Sequence, residues 1–383
     1  MPRRSSRLAA GKRVQRGDKA IASLLENALV ASSEEIRLTH GFHTYPAGLH
    51  PDAARMLLDQ FQGDRLFDPF CGGGTTLVEG RVHGRKTFGT DVSPVALRVA
   101  NGRTATPTDE LLTRFRSTAR KLTEAARYAD VNPEERIYEA VREWYAPHAI
   151  WELESLRQGI ATSDESVRDL LWLAFSSLLI KVSWRASDTS ARRKKHRRPP
   201  GTTAILFHKK VREFARRMTE LRDAVPEGTP SSNIQYGDAR TVRLEQKVQL
   251  VITSPPYPST YDYLPLQHFR QIWLPDPPPN WDDEIGPRRD WREGGRGARA
   301  KWVEDTHAWT SNISAQLEKD GVMVVVIGDG LTPQGSIDAA KVTEEVAEAN
   351  NLTLLGRSSV ERPEHARKTT RWEHAFAFQK QVE

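Results

Sequence analysis

A glycine-rich turn lies between two short apolar segments near the start of the chain, and it constrains the fold more than any other feature. The turn runs from Asp68 to Thr76 with the sequence DPFCGGGTT, after a strand predicted over 65–70 and before a helix predicted over 77–83. A second strand, predicted over 86–90, ends at Asp91. This order of strand, glycine-rich turn, helix and strand predicts half of a nucleotide-binding α/β domain.

The residues of the turn also indicate a ligand site. Glycines at the end of a strand let the backbone turn sharply and approach a ligand closely. The helix that follows presents free N–H groups to a carboxylate or a phosphate. The chain has no G-x-x-x-x-G-K-[ST] pattern, so a P-loop is not supported. Asp91 lies about twenty residues on, where an acid binds the ribose hydroxyls in this type of fold, although the turn alone also fits a generic dinucleotide site.

A second motif, Ser254-Pro-Pro-Tyr257, directly follows an apolar strand predicted over 248–253. Two consecutive prolines hold the backbone extended and remove two N–H donors. Carbonyl oxygens then remain beside a hydroxyl and an aromatic ring, which suits a flat ring that carries an amino group. A proline-stiffened loop with a packed tyrosine is the alternative interpretation of this motif alone.

Together the two motifs closely resemble those of the DNA amino methyltransferases, which modify N4 of cytosine or N6 of adenine. The resemblance covers about residues 39–104 and 233–383, and it implies a Rossmann-like α/β methyltransferase fold that uses S-adenosylmethionine. The cofactor-binding residues that it implies are Tyr45, Pro46, Asp68, Pro69, Phe70, Gly72, Gly74, Thr75, Thr76, Asp91 and Asp238. The catalytic residues that it implies are Ser254, Pro255, Pro256 and Tyr257.

The resemblance also implies a role for individual positions. Asp91 is expected to bind the ribose hydroxyls and Asp238 the adenine amino group, while Tyr45 packs beside the methionine end of the cofactor. The Ser254 hydroxyl and the carbonyl of the next residue would accept hydrogen bonds from the target amino group, and Tyr257 would stack on the flipped base. Methylation at cytosine C5 needs a cysteine nucleophile near the catalytic strand, and no cysteine lies there.

The expected activity is site-specific DNA methylation at N4 of cytosine, because serine at the first position of the tetrad is associated with cytosine in this family. The expected setting is a prokaryotic restriction–modification system. Three alternatives stay open: methylation at N6 of adenine, methylation of a base amino group in RNA, and a nucleic-acid binder without activity. The cofactor motif precedes the catalytic one, with a long insertion between them.

The chain divides into three parts by composition. Residues 1–38 are expected to form a basic arm and a short helix, and 39–105 with 233–383 the catalytic domain. Residues 106–232 are a mainly helical insertion and a candidate target-recognition region. The arm is expected to be disordered, with its cations at Arg3, Arg4, Arg7, Lys12, Arg13, Arg16 and Lys19.

Double-stranded DNA is the expected partner, and the net charge of +6 alone supports it only weakly. The densest group of cations is more informative, because such a run binds closely spaced phosphates in a salt-dependent way. It comprises Arg185, Arg192, Arg193, Lys194, Lys195, Arg197 and Arg198, with Trp184 and His196 as stacking candidates. A second candidate for strand contact is the segment 288–301, with Trp291 and Trp302.

Composition excludes several other classes of protein. One cysteine, Cys71, allows neither a disulfide within the chain nor a cysteine-based zinc site. The histidines show no metal-ligand spacing, and we expect no metal. No window reaches eighteen consecutive apolar residues, and the basic N-terminus lacks the apolar stretch of a secretory signal. A cytoplasmic location is therefore expected, at the nucleoid when DNA is bound.

Overall fold

The structure, a computed structural model, describes residues 11–33, 35–46, 48–188, 190–293, 295–332, 335–364 and 369–381. The strands are β1 (Arg13–Gly17), β2 (Arg65–Asp68), β3 (Lys86–Asp91), β4 (Arg185–Ser187), β5 (Ser190–Arg193), β6 (Asn233–Tyr236), β7 (Val248–Thr253), β8 (Leu317–Gly328), β9 (Gly330–Thr332), β10 (Gly335–Ile337), β11 (Leu352–Glu364) and β12 (Thr369–Lys380). The helices are α1 (Lys19–Val30), α2 (Pro51–Gln60), α3 (Thr75–Val82), α4 (Pro94–Thr104), α5 (Asp109–Ala126), α6 (Glu135–Val141), α7 (Pro147–Ala161), α8 (Glu165–Val182), α9 (Thr202–Ala224), α10 (Tyr263–Gln271), α11 (Arg288–Glu293), α12 (Arg296–Gln316) and α13 (Ala339–Ala349).

Within the described ranges, eight of these strands form one mixed sheet in the order β1-β11-β12-β8-β7-β2-β3-β6. The central strands β6, β3, β2, β7 and β8 are parallel, and β12 lies antiparallel between β8 and β11. The chain passes from β2 to β3 on one side and returns later to β7 on the other side. Ligands bind at such a switch point, beyond the carboxyl ends of the strands. The expected Rossmann-like α/β fold with a mainly helical insertion is confirmed.

The helical insertion packs around its own apolar residues but shares its core with the sheet domain. Phe115, Phe175 and Phe214 are buried in a cluster that also contains Val99 of α4 and Phe269 of α10. Phe214 stacks on Phe42, with ring centroids 4.1 Å apart. The insertion is therefore anchored on the catalytic part of the chain. Its role as a separate target-recognition region stays a prediction.

The N-terminal arm differs in part from the expectation of disorder. Residues Arg13–Gly17 form β1, which pairs antiparallel with β11 from Arg13 opposite Val360 to Gly17 opposite Gly356. The edge of β11 offers backbone groups that a further strand can pair with. Arg16 forms an ion pair with Glu344 at 3.0 Å. The cations at Arg3, Arg4 and Arg7 lie outside the described residues.

The segment 288–301, a candidate for strand contact, forms α11 and the start of α12. Trp291 of α11 and Trp302 of α12 are only 2% and 1% exposed. Both belong to a core cluster with Trp309 and Ile313. The spacing of Trp302, Trp309 and Ile313 along α12 places these side chains on one helical face. Trp291 and Trp302 are therefore core residues and offer no surface for strand contact.

Candidate active site

The glycine-rich turn follows β2 and leads directly into α3. Gly72 and Gly74 have φ of +48° and +75°, a region that residues with a side chain rarely adopt. A Cβ atom at Gly72 would lie 3.2 Å from the ring of Tyr45, so the close approach also requires glycine. The N–H of Gly72 donates to Oδ2 of Asp91 at 2.9 Å. This hydrogen bond ties the turn to the end of β3.

Two carboxylates lie at the carboxyl ends of β2 and β3, that of the buried Asp68 and that of the half-buried Asp91. Asp91 also accepts a hydrogen bond from the N–H of Ser93 at 2.8 Å, and Asp68 accepts one from Oγ1 of Thr253 at 2.7 Å. Burial raises the pKa of Asp68 and that of Asp91 to about 6. Each oxygen of a carboxylate can accept two hydrogen bonds, so Asp91 keeps capacity for two further donors.

A cleft of about 690 Å³ opens beside the turn. Nine residues that the sequence predicted line it: Tyr45, Pro46, Pro69, Phe70, Gly72, Asp91, Asp238, Ser254 and Pro256. The rest of the lining comprises Val92, Ser93, Gly237, Ala239, Tyr263, Leu264, Asp283, Glu284 and Ile285. We call this the cofactor cleft.

A second cavity of about 360 Å³ lies at the N-terminus of α3. Asp68, Thr75 and Thr76 line it, together with Gly72 and Ser254, which also line the cofactor cleft. The first N–H groups of a helix have no partner within the helix, and they favour a negatively charged group. This cavity, here called the helix-end cavity, therefore suits a carboxylate. Gly74 lines neither space and serves as the N-terminal cap of α3.

A third cavity of about 840 Å³ lies on another side of Ser254. Its polar lining comprises His50, Ser254, Tyr257, Tyr261, Arg362, Arg371 and Glu373. The Tyr257 hydroxyl donates to Oε1 of Glu373 at 2.9 Å, and burial raises the pKa of Tyr257 well above its usual value. We call this the acceptor cavity. Pro255 is buried in the loop between the cavities.

Ser254 is the point where the three spaces meet, because it lines the cofactor cleft, the helix-end cavity and the acceptor cavity. A group bound at Ser254 can therefore be approached from the cofactor cleft and from the acceptor cavity. The Ser-Pro-Pro-Tyr motif had indicated this serine as a candidate site residue. The contributions of Arg362, Arg371 and Glu373 were missed, because they come from the distant strands β11 and β12 and carry no local pattern.

Asp238 is held by Arg240, a residue that the sequence analysis also missed. The Arg240 guanidinium donates to both oxygens of Asp238, at 2.6 to 3.0 Å, and to Oδ1 of Asp305 at 2.7 Å. Such charge-assisted hydrogen bonds fix the orientation of the carboxylate. The spacing Asp-x-Arg at the end of β6 was the available signal.

The basic run separates into two groups in the structure. Arg185 is half-buried, and its guanidinium lies 4.8 Å from the ring centroid of Phe269. Arg198 is also half-buried and donates to the carbonyl of Lys181 at 2.9 Å. The exposed members are Arg192, Arg193, Lys194, Lys195 and Arg197.

Trp184 organises part of this exposed group. Arg193 and Lys195 lie 5.0 and 5.2 Å from its ring centroid. Cation–π contacts of this kind stabilise exposed basic side chains by about 0.5–1 kcal/mol. The hairpin of β4 and β5 thus presents fixed cations to solvent, and we call it the basic hairpin.

A second cationic groove was missed in the sequence. Arg116 and Arg120 of α5 line it with His208 and Arg212 of α9, around a volume of about 800 Å³. The signal was the spacing of four residues within each helix, which places such side chains on one face.

Some chemistries find no support in the described part of the chain. Among the described residues, no group of three or more His, Cys, Asp or Glu side chains could hold a metal ion. Cys71 is 4% exposed, and burial raises the pKa of its thiol well above the usual value. No described helix is both long and apolar enough to cross a bilayer.

Comparison with known proteins identifies the domain. A family model described as an RMKL-like methyltransferase domain matches residues 42–132, which include the glycine-rich turn and Asp91. These residues are therefore similar to a methyltransferase domain. The type II methyltransferase M.MvaI of Kocuria varians is 26% identical over 246 residues, which is 57% of this chain and 53% of that protein. The chain therefore spans about half the length of this relative.

Solved structures of methyltransferases are also similar to the chain, at low levels. TrmN of Thermus thermophilus is 10% identical, with a TM-score of 0.34, over 86% of this chain and 48% of that one. The rRNA methyltransferase aviRa of Streptomyces viridochromogenes is 13% identical, with a TM-score of 0.34, over 90% of each chain. At these levels neither structure bears on the substrate.

The cofactor of this methyltransferase domain is S-adenosylmethionine, and the residues of the site fit it. Asp91 keeps acceptor capacity for two ribose hydroxyls, and a Cβ atom at Gly72 would make a tight contact of 3.2 Å with the ring of Tyr45. The helix-end cavity offers free N–H groups to the carboxylate of the methionine part.

Proposed function

We propose that the protein transfers a methyl group from S-adenosylmethionine to the exocyclic N4 of a flipped cytosine at specific sites in double-stranded DNA. One observation carries this proposal. Ser254 lies where the cofactor cleft and the helix-end cavity meet the acceptor cavity. A methyl donor on one side and a base on the other can therefore approach each other at this serine.

The cofactor is assigned to the cofactor cleft and the helix-end cavity. Asp91 accepts hydrogen bonds from the ribose hydroxyls, and Asp238, oriented by Arg240, accepts one from the adenine amino group. Phe70, which contacts Trp309 edge to face at 5.5 Å, lines the same cleft. Tyr45 and Pro46 line both spaces and pack beside the methionine part.

The chain contributes acceptors and position to the transfer step. The Ser254 hydroxyl oxygen and the Pro255 carbonyl oxygen accept the two N–H groups of the target base, which returns electron density to an otherwise weakly nucleophilic nitrogen. S-adenosylmethionine supplies an electrophilic methyl group on sulfur when bound. The amino nitrogen bonds to this carbon as the carbon–sulfur bond breaks, and a proton leaves the nitrogen. Holding both partners in line supplies much of the rate.

The target base has to leave the helix to reach Ser254, because a stacked base is inaccessible. The acceptor cavity is open enough for one base, and Tyr257 and Tyr261 supply aromatic surface in its lining. The exposed cations of the basic hairpin bind the backbone phosphates. Residues 106–232, which carry this hairpin, then act as the target-recognition region.

Cytosine N4 is the favoured atom because the tetrad begins with serine. Chemistry at C5 is not supported, since Cys71 lies buried in the cofactor turn with a raised thiol pKa. The similarity to a type II methyltransferase supports DNA rather than RNA as the acceptor.

The test supplies tritiated S-adenosylmethionine with either PCR-amplified duplex DNA or RNA transcribed from the same template. Incorporation into the duplex, abolished in Ser254→Ala, supports the proposal. Incorporation into RNA alone contradicts it. The matched control is Ser259→Ala, since Ser259 is buried in the same loop but lines none of the three cavities.

A further inference from the structure

We infer that Arg371 selects cytosine over adenine by donating a hydrogen bond to the O2 carbonyl of the flipped base. This inference rests on the proposed function, whose acceptor cavity it describes in more detail. Arg371 is carried by β12, far in sequence from the Ser254 motif, and lines the acceptor cavity with Ser254 and Tyr257.

Two arginines face each other across the antiparallel pair of β11 and β12. Arg362 and Arg371 are direct partners in the register, and both line the acceptor cavity. Like charges directly opposite each other on neighbouring strands are destabilising. In the described lining of this cavity Glu373 is the carboxylate, so two cations share one anion. The cavity has surplus hydrogen-bond donors, which points to a ligand with acceptor atoms.

The two arginines are not equivalent. Arg362 is fixed on both sides, by an ion pair with Glu373 and by a hydrogen bond to the carbonyl of Leu29. Glu373 in turn accepts the hydroxyl of Tyr257 at 2.9 Å. These contacts make a rigid wall of Arg362, Glu373 and Tyr257.

Arg371 lies beside Tyr257 in the same cavity. Its guanidinium is 5.7 Å from the ring centroid of Tyr257. Within the described part of the chain, no acceptor lies within hydrogen-bond distance of its nitrogens. The guanidinium of Arg371 is half-buried, is oriented by the ring of Tyr257 and remains available to a ligand. Arg371 is therefore the residue that contacts the base, and Arg362 is a positioning residue.

The pairing edges of the two candidate bases differ where Arg371 can act. With the amino group at Ser254, cytosine presents N3 and then O2 along the same edge, and both are acceptors. Adenine presents N1 and then a carbon-bound hydrogen at the position of O2. Arginine has donors only, so it can satisfy the carbonyl of cytosine but finds no acceptor at that position of adenine.

The experiment uses the full chain and a duplex oligonucleotide that contains the methylation site, once sequencing of methylated DNA has located it. The target position carries either cytosine or an analogue in which the O2 carbonyl is absent. Wild type, Arg371→Met and Arg371→Lys are compared by kcat/KM, and cofactor affinity is measured by calorimetry. The lysine variant keeps a cationic donor and serves as the conservative replacement.

We expect Arg371→Met to lower kcat/KM on cytosine about 10- to 100-fold, as for loss of a hydrogen bond to a charged group. Cofactor affinity stays unchanged, and Arg371→Lys regains part of the rate. On the analogue the wild type is slow, and Arg371→Met causes no further loss. If the methionine variant fails to fold, a wild type that does not distinguish cytosine from the analogue still overturns the inference.

Two further results would overturn it. One is an equal loss for Arg371→Met on both substrates. The other is a lower salt dependence of DNA binding in Arg371→Met than in wild type. A decrease of about 1 in the slope of log DNA affinity against log salt concentration would identify a phosphate contact. Failure of the proposed function itself appears in the wild type, as N6-methyladenine or as methylation of RNA alone. The two failures are thereby distinguishable.

Discussion

Arg270 and Asp188 form a buried bidentate ion pair, with nitrogen–oxygen distances of 2.8 and 2.9 Å. Arg270 lies in α10, which follows the Ser254 motif along the chain, and Asp188 lies in the turn of the basic hairpin. The two side chains are only 2% and 6% exposed. One contact therefore holds the basic hairpin against the helix that continues from the catalytic loop.

Breaking this pair from one side is expected to destabilise the fold. Arg270→Met leaves the Asp188 carboxylate buried without its partner, and we expect the free energy of unfolding to fall by about 3–5 kcal/mol. Urea denaturation measures the change. The double variant Arg270→Met with Asp188→Leu removes the unpaired charge and is expected to regain much of the stability. A single variant as stable as wild type would contradict this account of the ion pair.

Cofactor affinity is expected to depend on the ionisation of Asp91. Burial raises its pKa to about 6 in the cofactor-free protein, and the charged carboxylate is the stronger acceptor for ribose hydroxyls. Binding should be constant above pH 7 and weaken as the pH falls through 6, as measured by calorimetry. Asp91→Asn should lower affinity about 100-fold.

Asp68 titrates in the same range, since its pKa is also raised to about 6 by burial. The part of the pH dependence that belongs to Asp91 is the part that Asp91→Asn removes. Identical pH profiles for the variant and the wild type would argue against the ribose contact.

Ser254→Ala tests the acceptor role of the hydroxyl. The variant removes one of two acceptors for the target amino group and leaves Asp91 and the turn intact. We expect kcat to fall about 100-fold, while the dissociation constant for S-adenosylmethionine changes little. Steady-state kinetics and calorimetry separate the two quantities. Unchanged kcat would remove the hydroxyl from the mechanism.

The exposed cations of the basic hairpin are expected to bind DNA phosphates. Replacing Arg192, Arg193, Lys194 and Lys195 by alanine should weaken binding to duplex DNA and flatten the salt dependence, by about 0.9 in slope for each phosphate that is no longer neutralised. Fluorescence anisotropy over a range of salt concentrations measures this slope. Lys341→Ala, at a 70% exposed lysine of α13, is the control. A slope equal to that of wild type would exclude the hairpin from phosphate binding.

The second cationic groove provides a separate comparison. Arg116→Ala with Arg120→Ala should also reduce the slope if duplex DNA reaches α5. A lower slope for the hairpin variant and an unchanged slope for the groove variant would show that bound DNA contacts the basic hairpin and does not reach α5.

Local patterns indicated residues that the structure brings together at the centre of the candidate site. The turn from Asp68 to Thr76, Asp91 and Ser254 are each adjacent to a strand end, and the parallel order of β2, β3 and β7 brings those ends together. A sequence shows such positions because strand, turn and helix signals follow each other within a few residues. The boundaries of β7 were predicted correctly for the same reason.

Residues that depend on distant pairing were not predictable in this way. Arg371 enters the acceptor cavity only because β12 pairs with β11 and β8, and no local pattern encodes that register. Trp302 was assigned to DNA because prolines and arginines precede it, while tertiary packing buries it on α12. The residues of β1 were expected to be disordered because they are basic. They form an edge strand only by pairing with β11, which lies more than 300 residues away in the chain.

The most direct test of the central claim is mass spectrometry of the nucleosides from PCR-amplified duplex DNA that the purified protein has methylated with isotopically labelled S-adenosylmethionine. Our account predicts label in N4-methylcytosine, and its absence from DNA treated with Ser254→Ala. Label in N6-methyladenine would contradict the assignment of the base and the role of Arg371. Absence of label from DNA, with label in RNA, would contradict the proposed function.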